Sequence, residues 1–265
     1  MSQTAIEIKS LYAFVERQFN LVKRYLGWEI VFLVYTIVNA LTIGFIGVTQ
    51  GKETVLYLVV GAMIWGFLSV LFHEVSESVS WERWEGTIEY TFMAPVHRFT
   101  HLGGMCLYAI IYGIIRTVVL LGAVAIFFSL NLEQANFLAA LVILVVSSLS
   151  FIGLGLIAAV LPLMSPEKGA QATHIFQAVL LLISGVYYET SILPSWIRPF
   201  SAVSPATYTL RAMRAALLQG RSLGEMLNTL VLLLATGVLL IPLGLFIFHQ
   251  AEIYAKKSGK LKRSG

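Results

Sequence analysis

Three short stretches hold residue types that do chemistry elsewhere, and each is incomplete here. His73-Glu74-Val75-Ser76-Glu77 has the opening of a zinc-binding helix, but Glu77 stands where the second histidine ligand is needed. Gly47-Val48-Thr49-Gln50-Gly51-Lys52-Glu53 has the glycines and lysine of a phosphate loop. It has three residues between the glycines instead of four, and Glu53 where a Ser or Thr would hold Mg²⁺. The single cysteine, Cys106, lies in an apolar run and reads as a packing residue; it excludes an intramolecular disulfide. No nucleophile elbow and no acid–base pair is apparent, so covalent catalysis by this chain is not expected.

Two other features carry more information. The first is the run Glu82-Arg83-Trp84-Glu85-Gly86-Thr87-Ile88-Glu89-Tyr90-Thr91-Phe92-Met93. From Ser80 to Met93 there is no proline and one glycine, so a short rigid helix is expected. Trp84, Tyr90 and Phe92 would fill pockets, and Glu82, Arg83, Glu85 and Glu89 would make rim pairs, the composition of a protein contact. On the residues alone, it reads equally well as a loop helix resting its aromatics on a bilayer. The second feature is Arg116, in the middle of an apolar run where insertion costs about 2.5–3.5 kcal/mol. It is expected to face a protein interior or a water-filled path. No acidic residue is expected at its depth. Two roles fit: meeting an anionic substrate or lipid headgroup along a path shared with Asn39, or hydrogen bonding to carbonyls, to Asn39 or to a partner.

The elements that hold these residues follow from composition. Of 265 residues, 58% are hydrophobic and 12% charged, about half the charged share of soluble domains, and mean hydropathy is +0.82. Apolar runs long enough to cross about 30 Å of hydrocarbon recur at 28–48, 54–72, 105–130, 137–164, 170–187 and 226–249. The expected fold is an all-α membrane protein with six transmembrane helices. Residues 1–27 form an amphipathic interfacial helix, 28–250 the membrane domain and 251–265 a basic tail. In the first of these, Ile8, Leu11, Tyr12, Val15, Phe19, Val22 and Leu26 share one face. Charged residues interrupt residues 1–26, so no signal peptide is expected. Gly61 and Gly66, or Gly153 and Gly155, are candidates for close helix packing, and His174 reads as a packing residue.

Lysines and arginines concentrate on one side. With the N-terminus inside, Lys9, Arg17, Lys23, Arg24, Arg83, Arg98, Lys168, Lys256, Lys257, Lys260, Lys262 and Arg263 are cytoplasmic. Lys52, Arg198, Arg211, Arg214 and Arg221 are outside. Both termini are thus expected in the cytoplasm. The positive net charge reflects this topology, and no nucleic-acid partner is expected. Between the fifth and sixth spans, Pro194, Trp196, Pro205 and Tyr208 belong to a half-apolar outer segment expected to re-enter the membrane without crossing it.

The loop run, with Glu85-Gly86-Thr87-Ile88-Glu89 leading to Ala94-Pro95-Val96-His97-Arg98, resembles the cytoplasmic loop of ABC transporter permeases of the type-2 export class. Ser184-Gly185-Val186-Tyr187, Leu193-Pro194-Ser195-Trp196-Ile197, Ser204-Pro205-Ala206-Thr207-Tyr208 and Arg211–Arg214 are similar to that family's outer connection. The family usually has Asn-Pro where this chain has Ser204-Pro205, and often a proline near Glu189. The resemblance implies that Glu82, Arg83, Trp84, Glu85, Gly86, Thr87, Glu89 and Tyr90 form a coupling helix docked on a separate ATP-binding subunit. It further implies a homodimer, or a heterodimer with a similar permease, in a prokaryotic cell membrane. ATP and Mg²⁺ would be bound by the ATPase, and no cofactor by this chain, which would not itself be an enzyme. The cargo implied is a drug-like, lipid-like or other amphipathic molecule moved outward. The alternatives are export of a polysaccharide or lipid-linked glycan and, from another class, a membrane-embedded lipid-modifying enzyme.

Overall fold

The computed structural model describes residues 3–86, 88–93, 96–130 and 132–259. The helices are α1 (Gln3–Arg24), α2 (Leu26–Val48), α3 (Lys52–Glu85), α4 (Ile88–Met93), α5 (Arg98–Phe128) and α6 (Phe137–Ala158). They continue with α7 (Val160–Met164), α8 (Pro166–Ser184), α9 (Arg198–Val203), α10 (Pro205–Gln219) and α11 (Leu227–Lys257), with a 3-10 turn at Thr190–Ile192. No strand occurs among the described residues.

Five segments are long and apolar enough to cross a membrane: α2, α3, Phe99–Phe128 of α5, Phe137–Met164 across α6 and α7, and α11. The expected fifth span falls on α8, whose apolar stretch, Gln171–Ser184, is shorter. Proline accounts for the break between α6 and α7. Pro162 has no N–H to offer the Ala158 carbonyl and its ring crowds it, so the helix re-forms after Ala159.

The second span departs most from its expected limits. Expected to end at Phe72, α3 continues as one helix to Glu85, 34 residues in all. At 1.5 Å per residue it is about 51 Å long, some 20 Å more than the hydrocarbon core. Gly86 stops it with φ of 72°, a left-handed conformation that side-chain-bearing residues rarely adopt. The expected single helix over Ser80–Met93 is therefore two pieces, the end of α3 and the separate α4.

The core lies where α3 and α6 meet. Met63, Ile64, Phe67, Leu68 and Leu71 of α3 and Ile143 and Phe151 of α6 are fully buried. Apolar windows of α3 and α6 are 61% and 56% buried, against 17% for α2 and 22% for α11. The outer helices thus turn large apolar faces outward, as a lipid solvent allows. On α10, Ala206, Leu210, Met213, Ala216 and Leu217 are buried, so its apolar side packs on the neighbouring helices. The face of α1 containing Val15, Phe19 and Val22 packs on Tyr108 and Tyr112 of α5, while Ile8 and Tyr12, expected on the same face, point outward.

Close approach of α6 and α11 depends on glycine. A Cβ on Gly153 would come within 2.5 Å of Leu240, one on Gly237 within 2.6 Å of Leu149, and one on Gly244 within 2.8 Å of the Gly153 carbonyl. A Cβ on Gly61 would come closer still, 2.1 Å from the Val186 carbonyl, whereas Gly66 has open space beside it because it lines a cavity. Overpacking such a contact costs about 1–3 kcal/mol. Gly237→Leu should therefore lower the thermal unfolding midpoint of the purified protein by several degrees, and Gly66→Ala should leave it unchanged.

Candidate functional site

The end of α3 and the short α4 form a surface with distinct inner and outer sides. Helical spacing puts Val79, Glu82 and Arg83 inward and Trp81 and Trp84 outward. Glu82 and Arg83 are only 4% and 5% exposed. The Glu82 Oε1 accepts from Arg17 Nη2 of α1 at 3.0 Å and lies 3.1 Å from His101 Nε2 of α5. Arg83 Nη1 donates to the Leu163 carbonyl of α7 at 2.8 Å. Glu7 of α1 accepts from the Thr100 hydroxyl and from the His97 amide. Ile88 of α4 is buried in one apolar cluster with Val75, Val79 and Leu102. Three elements therefore grip the projecting end of α3.

These contacts revise the expected roles. Glu82 and Arg83 are internal braces here, not rim pairs, because partners from other helices surround both. The outer side holds Trp81, Trp84 (61% exposed), Tyr90 (76%), Met93 and Phe99. Glu85 is exposed and Gly86 half-buried. Thr87 lies outside the described residues, as do the side chains of Glu89 and Phe92. Sequence reasoning missed Trp81, Met93 and Phe99 on the surface, and Arg17 and His101 beneath it. The three-residue step from Trp81 to Trp84, which puts both on one helix face, signals the first of these; nothing local signals the others.

The second polar locus is within the bundle. Arg116 of α5 lines a cavity of about 250 Å³ together with Thr36 of α2, His73 and Glu74 of α3 and Gln177 of α8. Its Nη2 donates to Thr36 Oγ1 at 3.0 Å and its Nη1 to Tyr112 Oη at 3.2 Å. The Tyr112 hydroxyl in turn donates to Glu29 of α2. Two carboxylates thus flank the cation, where none was expected at its depth. Glu74 lies past the expected end of the second span but on the same continuous helix, and Glu29 reaches Arg116 through Tyr112. Asn39 is not brought to Arg116: it is exposed and donates to the Tyr35 carbonyl of its own helix at 2.9 Å. His73 stacks on His174 with centroids 5.9 Å apart. With Leu33, Met63, Phe67 and Leu120 on its walls, the cavity suits a molecule with a small polar head and an apolar body.

Between α8 and α11, Pro205 begins α10, where its missing N–H costs no helix bond. The Tyr208 hydroxyl donates to the Ala202 carbonyl at 2.7 Å. Pro194 and Trp196 are exposed between the 3-10 turn and α9.

A family model, that of the ABC-2 type transporter membrane domain, matches residues 9–218. That stretch takes in the Arg116 locus, the locus at the end of α3 except Glu7, and the connection after α8 as far as Leu218. No curated protein matches the chain.

Removing Glu82 would leave Arg17, His101 and the end of α3 without their common acceptor. Hydrogen bonds to charged groups contribute about 1.5–3 kcal/mol. Glu82→Leu should lower the thermal midpoint and expose the end of α3 to limited proteolysis, whereas Trp84→Ala should do neither.

Proposed function

The chain belongs to the ABC-2 type transporter family, and from that premise we propose that it is the membrane-spanning subunit of an exporter driven by a separate ABC ATPase. In this reading α8 is a sixth crossing. Its 19 residues reach about 28 Å, close to the thickness of the hydrocarbon core. Six crossings put both termini on the lysine- and arginine-rich side, the cytoplasm. The N-terminal α1, with Ile8 and Tyr12 exposed, lies at the headgroup boundary. A prokaryotic cell membrane is the proposed location.

The observation that carries this reading is the exposed cluster of Trp81, Trp84, Tyr90 and Met93 on a helix end rigidly tied to the bundle. Aromatic anchors on a stiff base suit a surface that receives force from a soluble partner. The ATPases would bind ATP and Mg²⁺, draw together and push on α4 and the end of α3; the chain itself performs no covalent chemistry. A second copy, or a similar permease, would cover part of the outward apolar faces of α2, α5 and α11 and enlarge the path beyond the 250 Å³ of one subunit. The apolar walls around Arg116 favour a drug-like or lipid-like amphipath over a glycan.

Interface anchors of this kind cost about 2 kcal/mol or more each when truncated. The double variant Trp84→Ala, Tyr90→Ala should reduce copurification of a co-expressed ABC ATPase at least tenfold while the permease remains folded; undiminished copurification would contradict the docking role. Arg116→Gln should slow transport of anionic amphipaths with little effect on ATPase binding. Unchanged transport of every substrate tested would remove Arg116 from the path.

A further inference from the structure

At the opposite end of the bundle from α4, about 43 Å along α3, a cleft of about 480 Å³ opens between α10, the turn after α8 and Tyr57. Arg211, Arg214 and Arg221 line it with the hydroxyl residues Thr190, Ser191 and Thr207, and with a single carboxylate residue, Glu189. The sequence brings the arginines together in two steps. Arg211 and Arg214 are three residues apart on one face of α10. Gly220, with φ of 62°, then folds the chain back so that the Arg221 amide donates to the Ala215 carbonyl at 3.1 Å.

The three guanidiniums differ in what they have free. Arg214 is committed to the carbonyls of Gly185 and Val186 at 3.2 and 2.5 Å and stacks 3.5 Å from the centre of the Tyr57 ring. It contributes charge more than donors. Arg211 gives one N–H to Thr190 Oγ1 at 3.0 Å, leaving most of its five donors. Among the described residues, the Arg221 side chain makes no hydrogen bond. Glu189 accepts from Ser191 Oγ at 3.2 Å, and the exposed Glu225, outside the cleft, interacts with the charge of Arg221, so three cations outnumber the two carboxylates near them.

A second observation is independent of charge. The Thr207 side chain is 2% exposed, lines the cleft, and its hydroxyl has no partner among the described residues. The Ser201 hydroxyl is in the same condition in an adjoining hollow that shares Thr190, Ser191, Thr207 and Arg211. Buried hydroxyls in native proteins are nearly always hydrogen-bonded. Two of them beside two under-used arginine forks form a set of donors with no acceptor.

We propose that this cleft binds a phosphate-bearing group, held by the forks of Arg211 and Arg221 with the Thr207 hydroxyl donating from below. Phosphate fits better than carboxylate because its non-bridging oxygens, three in a monoester and two in a diester, project tetrahedrally and can meet two forks and a hydroxyl from different directions, whereas both oxygens of a carboxylate lie in one plane. The same chemistry is offered by a soluble phosphate ester or by the headgroup of an anionic phospholipid. The site is separate from the Arg116 cavity and does not depend on a partner ATPase.

The test uses the purified full-length chain. Binding of glycerol 3-phosphate is titrated in detergent at constant ionic strength against chloride, and lipid retention is compared in nanodiscs of phosphatidylglycerol and phosphatidylcholine. Preference for either phosphate probe, weakened at least tenfold in Arg211→Gln, Arg221→Gln and about threefold in Thr207→Val, supports the site. A response to glycerol 3-phosphate identifies a soluble ester, and a response to phosphatidylglycerol alone identifies a lipid headgroup. Thr207→Val keeps the side-chain shape and removes a hydroxyl that has no partner, so it should be at least as heat-stable as wild type without probe. It gives the reading if the double arginine variant misfolds. No preference for either probe, or the same preference in the variants, overturns the proposal.

Discussion

A helix of 34 residues is too long for the hydrocarbon it crosses, and the rest of the molecule is arranged around that excess. The apolar stretch of α3 is the most buried among the five long spans, so its position is set by packing on α2, α5, α6 and α10. Its surplus of about 20 Å has to emerge on one side. A bare helix end would fray; this one is held by Glu82 to α1 and α5 and by Arg83 to α7. A displacement applied at Trp84 would therefore reach the core through continuous helix and not through a loop.

The polar groups follow the same division. In hydrocarbon, an unpaired polar group has no water to turn to, and the bundle meets this in two ways. Serine and threonine hydroxyls on the spans bond to carbonyls of their own or neighbouring helices, as Thr117 does to Gly113 and Ser150 to Leu233. Arg116 is too large and too charged for that solution, and it draws together Thr36, Tyr112 and, through Tyr112, Glu29. That network closes one side of a cavity whose other walls are Leu33, Met63, Phe67 and Leu120 with His73, Glu74 and Gln177 among them. Helix ends hold the remaining charge: the Glu82 cluster at one end of α3, the arginine cleft at the other.

Hydropathy placed both ends of α2 and of the α6–α7 segment to within a few residues, because length and apolarity are properties of each segment alone, but it began α5 seven residues late and ended α11 eight residues early. It placed the end of the second span at Phe72, since His73, Glu74 and Glu77 end the apolar run without ending the helix. Gly86 is the true stop, and its left-handed conformation is the signal. The aromatic character of the surface around Trp84 was legible, but which charges served it was not. Glu82 and Arg83 look like rim residues until Arg17, His101 and the Leu163 carbonyl are seen around them, and those contacts cross 19 to 80 residues of sequence. Likewise, the acids near Arg116 come from two other helices, and depth in sequence did not reveal them. Asn39, judged by depth, turned out to satisfy its own helix.

For the aromatic surface at the end of α3 to receive force, it must face the compartment where an ATPase can reach it. Cys106 is the single cysteine and is buried, so a Cys106→Ala background gives a clean reporter. The direct measurement is labelling of Tyr90→Cys in that background with a membrane-impermeant maleimide, in intact cells and in inside-out vesicles. Modification in the vesicles alone is the predicted result; modification in intact cells would place the surface on the wrong side and contradict the account.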